Sequence, residues 1–199
     1  MVDKRLILIG STGRNSGKTT IACRIIKHFA AKTAVYALKV TGIDSLGTHC
    51  PRHGGDGCGA CSITNDFCLS AETNPGTQKD TSLLLAAGAR EVWWLRSLRS
   101  VLERGYTAFR STIPEDALVI AESNSLRRAV QPALFIMLRD ETTTPKQTAL
   151  DVMNIADITL PAMPDKAAIE QVLNAAASQN NAKEIGLTGA SLDKIPHWF

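Results

Sequence analysis

Residues 6 to 29, LILIGSTGRNSGKTTIACRIIKHF, restrict the fold of this chain more than any other stretch. Leu6-Ile7-Leu8-Ile9 is a short, unbroken apolar run, the pattern of a strand buried on both faces of a parallel sheet. Beyond a glycine-rich turn, Ile21, Ala22, Ile25, Ile26 and Phe29 recur at helical spacing. A strand that stops at such a turn and restarts as a helix aims backbone N–H groups and a positive helix end at one point. That arrangement binds phosphate. Gly17-Lys18-Thr19-Thr20 closes the turn, with Lys18 placed to reach the terminal phosphates of a nucleotide and the Thr19 hydroxyl placed to hold Mg²⁺. Gly13 and Gly17 permit a close approach of backbone to phosphate that a side chain would block. Thr12, Gly13, Arg14, Asn15, Ser16, Gly17, Lys18, Thr19 and Thr20 are therefore the expected nucleotide-binding loop. The strict pattern G-x-x-x-x-G-K-[ST] calls for glycine at position 12, where this chain carries Thr12.

The rest of the chain extends the same architecture. Ala34 to Val40, Glu91 to Leu95, Leu118 to Ala121, Leu134 to Leu138 and Ile158 to Leu160 read as further strands. Helices are expected over Lys79 to Ala87 and on the face marked by Leu98, Val101, Leu102 and Phe109. Another is expected from Thr144-Pro145-Lys146-Gln147, with threonine as cap, proline in the first turn and glutamine completing a capping box. Asp165 begins a last helix with Ile169, Val172, Leu173 and Ala176 on one face. Alternating strands and helices imply an α/β fold: a doubly wound, mostly parallel sheet of about six to seven strands, covered on both sides. A chain of 199 residues is expected to form one domain over its whole length. Residues 41 to 77, rich in glycine, cysteine and polar types, read as a long inserted loop of functional meaning.

Composition excludes several classes. A net charge of +3 is too mild to argue for nucleic acid, and a lysine-bearing phosphate site accounts for it equally well. No apolar run approaches the roughly 18 residues of a membrane span, and Leu6 to Ile9 is too short for a signal-peptide core. The expected compartment is the cytoplasm, with no membrane partner. In that reducing setting cysteines point to metal or redox chemistry rather than disulfides.

Cys50, Cys58, Cys61 and Cys68 are the second informative feature. Thiolates are soft ligands for zinc or an iron–sulfur cluster, and Cys58-x-x-Cys61 has the spacing by which one turn clamps a metal. His49 and His53 are spare ligands; Cys23, in the first helix, reads as a small buried residue. Three readings stand side by side: a structural zinc or cluster site, a metal-delivery or redox-sensing loop, and reduced cysteines in a loop without metal.

Two carboxylates carry the remaining chemistry. An acidic residue at the carboxyl end of a parallel strand lies beside the phosphates in this architecture, where it holds Mg²⁺ directly or through water. Glu122 occupies that place, with Thr19 as the second expected Mg²⁺ ligand. Asp80, at a helix start, approaches the terminal phosphate from the other side to orient a water or the metal. Lys18, Asp80 and Glu122 thus form the expected catalytic set. The competing structural readings are a capped strand end for Glu122 and a helix N-cap for Asp80.

Three segments resemble one family, the molybdopterin-guanine dinucleotide biosynthesis protein B (MobB) type of GTP-binding protein. V-Y-A-L-K, ending on Lys39, resembles that family's second strand. Pro75 to Ala89, P-G-T-Q-K-D-T-S-L-L-L-A-A-G-A, is similar to its P-G-K-D-S…A-G-A motif. Leu118 to Ser123, L-V-I-A-E-S, resembles its strand ending V-E-G, with Ser123 in place of the glycine. The likeness covers roughly residues 5 to 140; between Thr41 and Asn74 the family shows histidines where this chain has cysteines. The dethiobiotin synthetases, in the same branch, often carry threonine at the position of Thr12.

The resemblance implies a P-loop NTPase fold and Mg²⁺-dependent binding and slow hydrolysis of GTP, in service of attaching a nucleotide to the molybdenum cofactor. Its implied partners are a cofactor-assembly enzyme and a second copy of the chain. GTP rests on the resemblance alone, since the guanine-reading Asn-Lys-x-Asp pattern is absent, and ATP stays open. Asp140 accepts from a purine edge or belongs to the solvated cluster Arg139-Asp140-Glu141. Two other functions compete. One is an ATP-dependent ligase or kinase of the dethiobiotin-synthetase kind, with Lys39, Ser123 and Asn124 lining an acceptor pocket. The other is a metallochaperone whose nucleotide toggles the cysteine loop. On the metal-site reading of that loop, metal analysis of protein purified without oxygen finds stoichiometric zinc or iron. A metal-free protein of the same activity would leave the cysteines as bystanders.

Overall fold

The computed structural model describes residues 1–46 and 63–184, the last six of them by backbone alone. Cys50, Cys58, Cys61, His49, His53 and the terminal Ile195 to Phe199 lie outside the described residues. In chain order the elements are β1 (Val2–Ser11), α1 (Lys18–Ala30), β2 (Val35–Ile43), β3 (Phe67–Glu72), α2 (Asp80–Ala86), β4 (Glu91–Leu98), α3 (Leu102–Arg110), β5 (Leu118–Glu122), α4 (Leu126–Ala129), β6 (Gln131–Arg139), α5 (Gln147–Leu150), β7 (Ile158–Pro161) and α6 (Lys166–Glu184). The strands form one sheet of seven in the order β3-β4-β2-β5-β1-β6-β7, parallel throughout except for β3 against β4.

The apolar run of β1 is unbroken because both of its faces are covered. Ile7 and Ile9 pack with Ile21 and Ile25 of α1 and Val172 of α6, while Leu6 and Leu8 pack with Tyr106 and Phe109 of α3. Each such aliphatic chain, fully withdrawn from water, contributes about 1.5–3 kcal/mol, so β1, an interior strand next to the middle of the sheet, fastens both layers. A doubly wound α/β sheet is what the strand and helix pattern implies, and it is what forms. Asp165 starts α6 as expected, its Oδ1 accepting the Ala168 N–H at 2.9 Å. Among the described residues no helix is long and apolar enough to cross a membrane.

Three local expectations are corrected. The stretch 41 to 77 is not loop throughout: β2 continues to Ile43, and residues 67 to 72 add an antiparallel edge strand. Phe67 and Leu69 alternate onto the second core, a period-2 signal too short to stand out between glycines and cysteines. Leu98 closes β4 instead of opening a helix, and α3 follows a single 3₁₀ turn at Arg99–Val101. The capping box at Thr144 does not form. Lys146 stays extended, its N–H donating to the Thr12 carbonyl at 3.3 Å, and α5 is only four residues long without a side-chain cap.

Gly88 ends α2 with a φ of 103°, its N–H donating to the Leu85 carbonyl. A side chain there would sit in the left-handed region, which strains the backbone by about 1–2 kcal/mol. Gly88→Ala is accordingly expected to lower the unfolding free energy by about that amount in a urea titration, and an unchanged midpoint would contradict the assignment.

Candidate functional site

The loop between β1 and α1 is held from behind by its neighbours. The Asn124 amide, just past β5, clamps the end of β1: its Nδ2 donates to the Ser11 carbonyl and its Oδ1 accepts the Ser11 N–H, each at 2.8 Å. Gly10 makes that approach feasible, because a Cβ there would lie 2.7 Å from Asn124 Oδ1. Thr12 is wholly buried, donates its N–H to the Leu138 carbonyl and accepts the Asp140 N–H on its hydroxyl at 2.8 Å. Its side chain ties the loop to β6 and forms no part of the cavity wall. Gly13 likewise stays behind the wall, against Thr143 and Asp140. The expected residues from Arg14 to Thr20 do line the cavity. Asn15 and Gly17 adopt left-handed φ values of 53° and 89°, and Gly17 is the N-terminal cap of α1.

Sheet register brings the charged side chains together. Ile9 of β1 lies beside Glu122 of β5, and Glu122 beside Lys39 of β2. Residues paired across parallel strands share a face, which here is the face covered by α1 and α2. The Thr19 hydroxyl, in the first turn of α1, lies 3.2 Å from both Glu122 Oε2 and Asp80 Oδ1. Asp80 does not cap its own helix; Lys79 holds the cap position, and the Asp80 carboxylate instead pairs with Lys39. Lys18 donates to the Ser11 hydroxyl at 2.7 Å. Glu122 is 4% exposed, and its Oε1 has no hydrogen-bond partner. Burial pushes the Glu122 carboxyl above the usual carboxylate range, against the pull of Lys39, Thr19 and Lys18. Burial also holds the Lys18 ammonium below the usual lysine range, with Glu122 opposing and Lys39 reinforcing.

An orphaned, buried carboxylate oxygen beside a hydroxyl and a second carboxylate is a set of hard oxygen donors of the kind Mg²⁺ takes. Thr19, Glu122 and Asp80 could hold such an ion. Among the described residues no group of three or more His, Cys, Asp or Glu side chains forms a metal site by itself. Cys68, in β3, is half-buried and accepts the Arg96 guanidinium N–H at 3.1 Å. Cys23 is half-buried rather than buried; its thiol lies 3.5 Å from the Leu83 carbonyl, and burial raises its pKa.

The cavity, about 610 Å³, continues past the loop in two directions. Toward β6 and β7 it meets Lys146, Thr148 and Met163. Met163, at φ 52°, donates its N–H to the Ser16 carbonyl at 3.1 Å. Toward β2 and β4 it meets Lys39, Thr41, Gly42, Arg99, Ser123 and Ser125. Of these, sequence reasoning had singled out Lys39 and Ser123. The others sit on strand ends and connections with no local motif to mark them. Asp140 is not on the wall; its Oδ1 accepts the Thr142 N–H and hydroxyl, which hold its carboxyl below the usual range, as in a local turn of the solvated cluster.

Sheet order, loop and strand-end carboxylate together define the class: an α/β protein with a P-loop NTPase-like fold. Compared with known proteins, the chain matches no family model, and no curated protein or solved structure is significantly similar to it.

Because Glu122 titrates above its ordinary value, its contribution to ligand-free stability is present below about pH 4.3 and lost as pH rises through the raised pKa. Glu122→Gln is expected to remove that loss, so that wild-type thermal midpoints fall relative to the variant as pH rises from about 4.3 through the raised folded-state pKa. Parallel pH profiles would contradict the raised pKa of this buried carboxyl.

Proposed function

We propose that this chain is a Mg²⁺-dependent nucleoside triphosphate-binding protein that hydrolyses its nucleotide, with GTP the expected substrate and ATP the alternative. The carrying observation is the convergence of Lys18, Thr19, Asp80 and Glu122 at the ends of β1 and β5, with one Glu122 oxygen buried and unpartnered. Backbone amides of the loop and the Lys18 ammonium would cradle the terminal phosphates. Thr19 and Glu122 would hold Mg²⁺, which supplies charge neutralisation at the β- and γ-phosphates when bound. Asp80, held beside Thr19 by Lys39, would orient the attacking water. The resemblance to the molybdopterin-guanine dinucleotide family supports a role beside a cofactor-assembly enzyme in molybdenum cofactor biosynthesis in the cytoplasm. It supports GTP over ATP as well, and a zinc or iron–sulfur site at Cys50, Cys58, Cys61 and Cys68 would be an addition to that role.

One observation favours a second reading, the ligase or kinase: the cavity extends past the phosphate loop to Lys39 and Ser123, leaving room for an acceptor. Asn124, expected on that acceptor side, lines the cavity too, though its amide is committed to Ser11.

Calorimetric titration with Mg·GTP and Mg·ATP tests the common core of both readings. Lys18→Ala is expected to weaken triphosphate binding by about 10- to 100-fold, the worth of charge-assisted hydrogen bonds to phosphate. Glu122→Gln should keep binding while turnover falls. An affinity indifferent to Lys18 would remove the nucleotide site, and turnover that appears only with an added acceptor would favour the ligase.

A further inference from the structure

We infer that the end of the cavity at β2 and β4 is a subsite for an oxyanion, a carboxylate or phosphate carried by a second substrate and read by Arg99. The inference builds on the proposed nucleotide site, which fills the other end of the same cavity.

Arg99 stands immediately after β4, at the carboxyl edge of the sheet, and its side chain crosses Gly42 of β2 toward Ser125 beyond β5. Gly42 is what lets it cross. A Cβ at Gly42 would lie 3.1 Å from Arg99 Cγ and 3.1 Å from Ser125 Cβ and Oγ, with Ser125 buried in the sheet end. The guanidinium is therefore set in place by Gly42 of β2 and by Ser125 just past β5. Its Nε donates to Ser125 Oγ at 3.4 Å, and its Nη1 pairs with the Asp44 carboxylate.

That last contact shows which ligand the site takes. A guanidinium offers a planar fork of donors that fits carboxylate and phosphate oxygens in pairs. Asp44 already presents a carboxylate to it, from a side chain that is 82% exposed and that does not line the cavity. An ion pair this wet contributes only about 0–1 kcal/mol, so a ligand oxyanion held inside the cavity can displace Asp44 at little cost. Lys39, on the same wall between Arg99 and the phosphate loop, is already paired with Asp80, so Arg99 is the positive group that this end offers to a ligand. At this end Arg99, whose carboxylate partner is exposed, stands among the hydroxyls of Thr41, Ser123 and Ser125, a lining suited to an anionic, hydrogen-bonding group.

The test loads the wild-type protein with a Mg²⁺ complex of a non-hydrolysable triphosphate analogue, which occupies the phosphate loop. Calorimetry then follows titration with phenyl phosphate, benzoate and, as a cationic control, benzylammonium. One of the two anions is expected to bind; the stronger names the class as phosphate or carboxylate. Arg99→Ala should weaken that anion at least about tenfold without changing the affinity for the analogue. Asp44→Asn, a change at an exposed position that leaves the fold intact, should strengthen it by removing the competing carboxylate. The inference is overturned if neither anion binds, if Arg99→Ala and Asp44→Asn leave anion affinity unchanged, or if benzylammonium binds as well as the anions. If the analogue itself does not bind, the nucleotide reading falls separately, and titration of the unloaded protein decides the subsite by its dependence on Arg99.

Discussion

Parallel pairing of β1 with β5, and of β5 with β2, is the constraint on which the site depends. It places Glu122 between Ile9 and Lys39 and points the carboxylate at the first turn of α1. Removing a carboxylate from water is expensive unless charge and hydrogen bonds compensate. Here compensation is partial: Thr19 reaches one oxygen, Lys18 and Lys39 supply positive charge, and the other oxygen is left without a partner. A fold optimised only for stability would not retain that atom. Its persistence is understood if an incoming ligand completes the site, in keeping with the tendency of strongly perturbed, buried acids to gather at functional clefts.

The loop owes its shape to groups that never face the cavity. Asn124 grips both backbone groups of Ser11, and Thr12 joins the loop to the end of β6 through its N–H and hydroxyl, and to the start of α5 through its carbonyl. Threonine is thus no defect at a position where the strict pattern has glycine. Its buried hydroxyl satisfies the Asp140 N–H, and its carbonyl accepts the Lys146 N–H that keeps the start of α5 extended. Pre-organisation of this kind matters for anion binding, since amides already aimed at a phosphate need not be ordered when it arrives.

Positive charge is distributed along the cavity in a graded way. Lys18 lies under the loop, Lys39 at the strand end beside Asp80, and Arg99 at the outer edge of the sheet paired with an exposed aspartate. Lys18 is sheltered, and burial lowers its pKa, whereas the Lys39 and Arg99 side chains are each 27% exposed. On the proposed reading, such an arrangement would draw an anion inward toward Lys18, where water is least able to screen the field.

Much of this was legible in the residues alone. The apolar run Leu6 to Ile9, the spacing of Ile21 to Phe29 and Gly17-Lys18-Thr19 specify a strand, a turn and a helix through local propensity and burial period, forces that act over a few residues. Glu122 and Asp80 could be placed because strand ends and helix starts are local events. The edge strand at Phe67–Glu72 was hidden because it exists only by pairing with β4, and the failed capping box at Thr144 because Lys146 answers to Thr12, more than a hundred residues away in sequence. The amide clamp of Asn124, the anchoring of Thr12 and the passage of Arg99 over Gly42 belong to the tertiary structure alone. Each is a contact between distant strand ends, set by sheet order and register, which no local pattern of side chains encodes.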